Sequence, residues 1–539
     1  MNTAKRPLAL LLALVLALSL FAGCSSGTGD SGSGTSASPG TGASTSAEPG
    51  SSSGGGESSG SGEMNTTRTL NIAATQDSGT LDPLGVTGGF VSVLYAFYEP
   101  LYDTRADGSR IWVLGTALDR VSDLEYTLKI REGVTFSNGN PMTADDVLYS
   151  MELCAANPQF SLNVKVVDFE KTKVIDDYTI DLWYTEYNAS QEPGLASLLI
   201  VDKESYDAEK SSQEPIGTGP YTVTDYVVNS HLSVTAREDY WNGTPKIKNI
   251  NFKVINEPAQ IINALETGDV DMAGVSVADV DYVKKLGYDV EIRNGGYNYS
   301  AFYSMLPGNP LASKEARWAV SMAIDRQSIA DIIFSGQSTV TDYPGSHAMI
   351  DLEDRYLNLH ETYSTGYNPE RAKELADQSG LTGQTVRIIT NGSSDPNTIA
   401  EMIQANLLDI GVNAQIVNYD QATYFGVLMD ASNFEIAVFT PSAPSMLAVD
   451  VLSMYLTFIP LGWEGPERDH YGELSMGAIG TYDAKERGEL LFQALEVFED
   501  FDPWFGLFEY VSSFAQSSDL TGVEYMIAGS LYYNNIAFK

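Results

Sequence analysis

Tyr126-Thr127-Leu128-Lys129-Ile130-Arg131-Glu132-Gly133-Val134-Thr135-Phe136-Ser137-Asn138-Gly139-Asn140-Pro141-Met142-Thr143-Ala144-Asp145-Asp146-Val147-Leu148-Tyr149-Ser150 is the most informative stretch of this 539-residue chain. With Glu125 before it, the part through Arg131 alternates apolar and polar residues with period two. That pattern predicts a strand with one buried face. Glu132-Gly133 and Asn138-Gly139 supply turn residues on either side of the short piece Val134-Thr135-Phe136. Thr143 is a good helix N-cap, and it sets Asp145 and Asp146 in the electropositive first turn.

Downstream of this stretch the helical pattern continues through Leu153 to Cys154, which is expected to be a small buried core residue. Upstream, 69–74 reads as a buried strand, Leu81-Asp82-Pro83 as a turn, and 90–101 as an apolar, aromatic helix. Pro215-Ile216-Gly217-Thr218-Gly219-Pro220-Tyr221 marks a boundary. Its two glycines start like a dinucleotide fingerprint, but Thr222 holds the third glycine's place and Pro220 interrupts the motif. A strand, 221–228, follows where a phosphate cradle needs a helix N-terminus, so that reading fails. A helix is predicted over 316–334, with Trp318, Met322, Ile329 and Ile333 on one stripe and Gly336 near its C-terminal cap. Next comes a βαβ unit: strand 386–390, a helix opened by Pro396 with Ile399, Ile403, Leu407 and Ile410 on one face, Gly411, and strand 414–417. If those strands share a sheet, they are parallel with a right-handed crossover. Strand 434–440, helix 489–501 and strand-like 504–514 complete the pass. No period of 20 to 50 residues stands out, so mixed α/β in several lobes is expected.

The N-terminal end predicts a compartment. Lys5 and Arg6 precede an apolar run, 8–20, that is long enough for a signal-peptide core and short for a membrane span. Leu20-Phe21-Ala22-Gly23-Cys24 looks like a lipobox, which makes 1–23 a signal peptide and Cys24 a lipidation site. A diacylglyceryl group there would be anchor enough. Residues 24–67 are mostly Ser, Gly, Thr, Ala and Pro and read as a flexible tether. The tether's reach points to a thick wall, as in a Gram-positive cell. Gly50-Ser51-Ser52-Ser53-Gly54 matches a nucleophile-elbow pattern, but it lies inside this tether with no strand or helix to strain it. The chain has only two cysteines, so a lipidated Cys24 leaves Cys154 without an intrachain partner. From about 68 onward the composition is globular and too long for one simple core. A formal charge of −40 repels nucleic acid and anionic lipid heads. The acids are spread along the chain, so the charge specifies no cationic ligand.

Five motifs in order give a resemblance: the stretch 126–150, Gly217-Thr218-Gly219-Pro220-Tyr221, Tyr240-Trp241-Asn242-Gly243, Gly268-Asp269-Val270-Asp271, and Arg317 through Arg326. Together they resemble the family-five extracellular solute-binding proteins of ABC importers, over nearly the whole chain from about Thr69. Glycines, prolines and alternating apolar residues mark backbone geometry and core, so the motifs read mainly as scaffold. The resemblance implies an α/β, periplasmic-binding-protein-like fold (type II, cluster C) with two ligand-clasping lobes and an extra inserted lobe. Lobe I would be discontinuous (68–95, 217–300, 512–539), lobe II would be the insert 96–216, and lobe III would be 301–511. The ligand would lie between lobes I and III, reached by hinge closure without chemistry.

The resemblance further implies an oligopeptide or peptide-like solute, permease subunits as partners, a monomer, no cofactor, and a lipid-anchored place on the extracellular face of the cell membrane. Peptide-binding members often carry an Asp just after the strand matching 434–440, to pair with the ligand's ammonium group. Here the sequence reads Thr440-Pro441-Ser442-Ala443-Pro444-Ser445-Met446, which leaves room for a capped, cyclic or non-peptide solute. Contact candidates are Phe90, Tyr297, Tyr299, Phe302, Thr440, Ser442, Ser445, Asp450 and Trp463, since aromatic faces and hydroxyls suit an adaptable, wet pocket. The alternative is a nickel or metal-chelate carrier using His470 and its acidic neighbours, although no ligand spacing supports it. His360-Glu361 begins like a zincin, but Ser364 replaces the second His. A surface hydrolase would need a nucleophile elbow, a metal pair or a carboxylate dyad, and none stands outside the tether.

Overall fold

The computed structural model describes residues 64–539 except 87–90, 106–107, 342–344, 347–348, 350, 352–354, 357–358, 360–365, 441–446, 459–461 and 527–528. Cys24, Phe90, Ser442, Ser445, His347 and His360 lie outside the described residues.

β1 (Leu70–Ala74) belongs to the largest sheet. β2 (Tyr102–Thr104) and β3 (Arg110–Trp112) form a short pair. β4 (Gly115–Arg120), β5 (Glu125–Ile130), β6 (Lys173–Asp176) and β7 (Thr179–Trp183) form an antiparallel sheet of order β4-β5-β7-β6. β8 (Tyr221–Val227), β9 (His231–Ala236), β10 (Asn249–Val254), β11 (Met272–Val275), β12 (Tyr288–Tyr303), β13 (Thr385–Thr390), β14 (Asn413–Asn418), β15 (Ile436–Phe439) and β16 (Trp504–Ser517) follow. With β1 they make one ten-stranded sheet, β14-β13-β15-β12-β16-β11-β1-β10-β9-β8. β17 (Leu520–Thr521) and β18 (Ala537–Phe538) pair near the C-terminus.

The cores follow these sheets. One cluster, with Leu128, Ile130, Phe136, Val147 and Ile180, fills the region of the four-stranded sheet. A second gathers around Leu70, Tyr98, Tyr221 and Ile250. The largest contains Ile388, Ile403, Leu407, Ile436 and Trp504. The long strands β12 and β16 run antiparallel through the middle of the big sheet. Their register shifts between Asn294 and Asn298 and again between Tyr299 and Ser300, and such bulges bend and twist a strand pair.

The opening stretch folds as its pattern predicts. β5 buries Tyr126, Leu128 and Ile130, Gly139 takes a left-handed φ of 90°, and a helix spans Ala144–Ala156. The Asp146 carboxylate accepts from the Thr143 N–H at 2.7 Å and from its hydroxyl at 3.0 Å, which fastens the first turn. Cys154 is a free, buried cysteine, and burial pushes its thiol up to about 12.

Two expectations change. The helix expected over 90–101 is reduced to Val91–Leu94. Beyond it, the Ala96 and Phe97 carbonyls accept from Tyr221 N–H (2.9 Å) and Gly219 N–H (2.7 Å), and Pro100 disfavours helix at Glu99. The helix expected over 316–334 is two helices, Lys314–Ala323 and Arg326–Phe334. Ile324 is extended, and Asp325 caps the second helix by accepting from Ser328 N–H at 3.1 Å. The apolar stripe keeps phase across the break, so periodicity alone could not detect it. The βαβ unit stands: β13 and β14 pair in parallel around the helix Ser394–Asp409.

The recognised motifs are structural joints. A Cβ on Gly217 would lie 2.2 Å from the Phe97 carbonyl oxygen, and one on Gly219 would lie 2.6 Å from the Phe97 carbonyl carbon. Only glycine lets the two backbones approach so closely. The buried Arg237 guanidinium donates to the carbonyls of Phe136 (3.0 Å), Gly219 (3.2 Å) and Thr135 (3.3 Å). Glu99, 1% exposed, accepts from Tyr240 Oη at 2.6 Å and Trp241 Nε1 at 2.8 Å. Burial pushes the Glu99 carboxyl up, opposed by these two donors and by Arg237. Arg317 is wholly buried and donates to the carbonyls of Ala312, Phe501 and Asp502. Burying these charges is tolerable because each is multiply bonded.

Candidate functional site

β14, β13 and β15 are neighbours in that order and run parallel. The chain leaves β13 toward β14 and then returns to β15 on the other side of β13. This reversal is a topological switch point, and in open α/β sheets ligands bind outside the carboxyl ends of the strands at such points. β13 leads from Thr390 into the first turn of Ser394–Asp409, and β15 leads into Thr440. β12 runs antiparallel beside β15 with Ser300 opposite Phe439. That register brings Thr440 level with Tyr299. Three chain segments therefore deliver Asp395, Thr440 and Tyr299 to one edge of the sheet.

Tyr299 is nearly buried among Phe334, Phe508 and Tyr510, with ring centroids 6.3, 5.4 and 6.3 Å away. Its hydroxyl donates to Asp395 Oδ2 at 3.2 Å. Tyr297 stacks on Tyr510 at 4.7 Å and 20°. Burial, reinforced by the Asp395 charge for Tyr299 and by Tyr510 for Tyr297, pushes both phenols up, so they act as neutral hydroxyls. Burial also pushes the Asp395 carboxyl up, and the Tyr299 bond draws it partly back. Beside them Asn298 donates to Thr341 Oγ1 at 3.0 Å, and Ser346 donates to buried Glu509 at 3.0 Å.

The other candidates are placed differently. Phe302 is 2% exposed and stacks on Trp504 at 3.9 Å, inside the core. Trp463 is buried and stacks on Phe501 at 4.9 Å. Asp450 is half-buried in the first turn of the helix Ala448–Phe458. That helix is held at its start by Asp351, which accepts from Ala448 N–H (2.6 Å) and Val449 N–H (3.2 Å). Asp395 and Tyr510 were not among the sequence candidates. Asp395 lies in the first turn of the helix that follows the first strand of the βαβ unit. For metal, His470 is exposed on the helix Pro466–Ile479. Among the described residues no group of three or more His, Cys, Asp or Glu could hold an ion. No helix among them is long and apolar enough to cross a membrane.

The long strands β12 and β16 join the β14-β13-β15 part of the sheet to the β11-β1-β10-β9-β8 part. The model of bacterial extracellular solute-binding proteins, family 5 (middle region), matches residues 119–457, and the chain belongs to that family. The nickel-binding periplasmic protein of Escherichia coli (strain K12) is 26% identical over 382 residues, covering 64% of this chain and 70% of that protein. A putative ABC transporter peptide-binding protein of Brucella ovis is 24% identical over 372 residues, covering 65% and 68%. The crystal structure of the ABC transporter substrate binding protein CtaP from Listeria monocytogenes matches the fold with a TM-score of 0.77 at 21% identity, covering 87% of this chain and 99% of that one. The chain is thus a solute-binding component of an ABC importer and not an enzyme.

Proposed function

We propose that this protein captures a peptide or peptide-like solute outside the cell and presents it to its permease subunits. The observation that carries the reading is the polar and aromatic edge at the switch point, where Tyr297, Tyr299, Thr440 and Asp395 converge. Hydroxyls and ring faces with little fixed geometry suit a ligand whose side chains vary. The named peptide-binding relative supports the same class. In this reading lobe I (68–95, 217–300, 512–539) and lobe III (301–511) close about β12 and β16, and lobe II (96–216) rides with lobe I. Closure is driven by contacts the ligand makes only in the closed form. A contact between the insert and the far side already exists at the rim: Ala189 N–H donates to the Ile479 carbonyl at 2.8 Å, and Arg120 lies 3.9 Å over the Tyr482 ring. The protein acts as a monomer anchored by a diacylglyceryl group on Cys24, with 24–67 as its tether.

The nickel-binding relative favours a second reading, transport of a metal or metal chelate. Native mass spectrometry of the gently purified protein separates the two. An organic molecule of peptide mass supports the first reading, and a bare metal ion with no organic partner overturns it. Mass analysis of the membrane-extracted protein tests the anchor. A mature chain beginning at an unmodified residue would remove it.

A further inference from the structure

We infer that the turn 187–189 and the helix end 479–482 form a latch across the molecule, and that solute enters and leaves only when this latch releases. The inference rests on the proposed closure about β12 and β16 and adds to it a device built from the chain's own groups.

The contact joins two regions that share no sheet. β4 ends at Arg120 and β7 at Trp183, both in the four-stranded sheet. The helix Pro466–Ile479 packs instead in the largest core, through Tyr471, Leu474 and Ile479. The Ala189 N–H donates to the Ile479 carbonyl at 2.8 Å. That carbonyl lies in the last turn of its helix, where the regular ladder offers no donor. The Gly480 and Thr481 N–H groups turn back to Met476 and Ala478, at 3.2 and 3.1 Å, so the Ile479 carbonyl takes its donor from the other region. Ala189 also packs against the largest core. Beside this bond the Tyr482 ring, 48% exposed, carries Arg120 over its face at 3.9 Å and meets Tyr187 in a T-shaped contact at 5.4 Å.

Both sides are braced before they meet. Buried Asn188 accepts from the Ser190 N–H at 2.9 Å, and the Gln191 side chain donates to the Asn163 carbonyl at 2.9 Å. Asp123 holds the Arg120 guanidinium at 2.8 Å. On the opposite side Arg487, in the helix Ala484–Phe501, donates to the carbonyls of Thr481 and Tyr482 at 3.1 and 3.2 Å. Surfaces ordered in advance lose little entropy on meeting.

The position of the contact makes it a latch. Gly217, Gly219 and Arg237 fasten the four-stranded region at the β8–β9 end of the big sheet. The helix Pro466–Ile479 shares its core with β13 and β15 at the other end. β12 and β16 lie between those two ends. The rim contact therefore closes a ring, and any bending of β12 and β16 that parts the two ends must break it. Its members are one hydrogen bond and two ring contacts, each weak on its own, so release is reversible. Solute must pass through the open form in both directions, and the latch thereby acts on the rates of entry and exit.

Amide exchange at Ala189 tests this on the complete purified protein, because the exchange rate reads the open fraction. Mass spectrometry with fragmentation resolves that amide in wild type, Tyr482→Ala, Arg120→Ala and the double variant. Ala189 is expected to be protected in wild type. Exchange there should be about tenfold faster in Tyr482→Ala and about threefold faster in Arg120→Ala, with 126–130 unchanged. Arg120 acts through the Tyr482 ring, so the double variant should be no faster than Tyr482→Ala. An unprotected Ala189 in wild type overturns the latch. So does faster exchange at Gly480 and Thr481 with Ala189 unchanged, which is fraying of one turn, and so do effects that simply add in the double variant. A final arm adds a mixture of tri- and tetrapeptides, which should slow Ala189 exchange in Tyr482→Ala. If the variants behave as expected and the peptides change nothing, peptide-driven closure falls while the latch stands.

Discussion

The region of the four-stranded sheet and the region around β13–β15 are attached to the rest of the molecule in opposite ways. The first is fastened by close packing: the backbone at Gly217 and Gly219 meets Phe97, Arg237 bonds the Thr135 and Phe136 carbonyls across the joint, and Glu99 collects Tyr240 and Trp241. The second shares β12 and β16 with its neighbour, and that ladder is interrupted where the strands pass from one core to the next. A joint with no room for a methyl group resists bending, whereas a bulge locally bends and twists the strand pair that carries it.

The sharpest way to break this contrast is Gly217→Ala. A Cβ 2.2 Å from the Phe97 carbonyl oxygen must force the joint apart, and a loss of roughly 3 kcal/mol or more is expected in urea unfolding. A near-neutral result would show the joint to be soft. Arg237→Met should lower stability by about 2–3 kcal/mol, because it strands buried carbonyls and removes the cation beside Glu99.

Asp351→Asn probes the crevice side through pH. Burial pushes the Asp351 carboxyl from 3.8 up to about 6, against the two helix N–H donors. The folded form thus holds the proton more tightly than the unfolded chain. Protonation contributes stability that is fully present below about 3.8 and lost as pH rises through about 6. The variant should therefore compare best with wild type near pH 7.5 and lose ground by about 1–2 kcal/mol toward pH 4.5, measured as urea midpoints at both values. A pH-independent difference would contradict the shift.

Tyr297→Ala removes the ring stacked on Tyr510. It should cost only about 1 kcal/mol yet speed amide exchange across 294–300, while exchange at 217–221 stays unchanged. Accelerated exchange at both places would erase the distinction between the joints. Tyr482→Ala, which loses the ring under Arg120 at the rim, should change stability by about 0.5 kcal/mol or less and register mainly as a larger radius in small-angle scattering.

Much of this architecture was legible in sequence because its signals are local. The 126–150 stretch carries its turns and cap in adjacent residues, and Ile399, Ile403 and Leu407 announce the helix between two parallel strands. The breaks were less legible. Ile324-Asp325 interrupts a stripe that stays in phase, and the 90–101 segment gives up its helix because Gly219 and Tyr221 take its carbonyls from over a hundred residues away. The candidate site was read in part. Tyr297 and Tyr299 were candidates for their rings and hydroxyls, but Asp395 looked like an ordinary first-turn acid until tertiary structure set it beside Tyr299. Phe302 and Trp463 show the converse: an aromatic that suits a pocket suits a core equally well.

Cys154 is sealed inside the insert and keeps its proton far above neutral pH. The thiolate is the nucleophile that attacks thiol-directed dyes, so the native cysteine should stay silent during labelling. Two new surface cysteines, one on each side of the β12–β16 pair, could then carry a fluorophore pair while Cys154 is left in place. The molecule is in this sense ready to be fitted with an optical ruler, and its reading with and without solute would test the proposed closure.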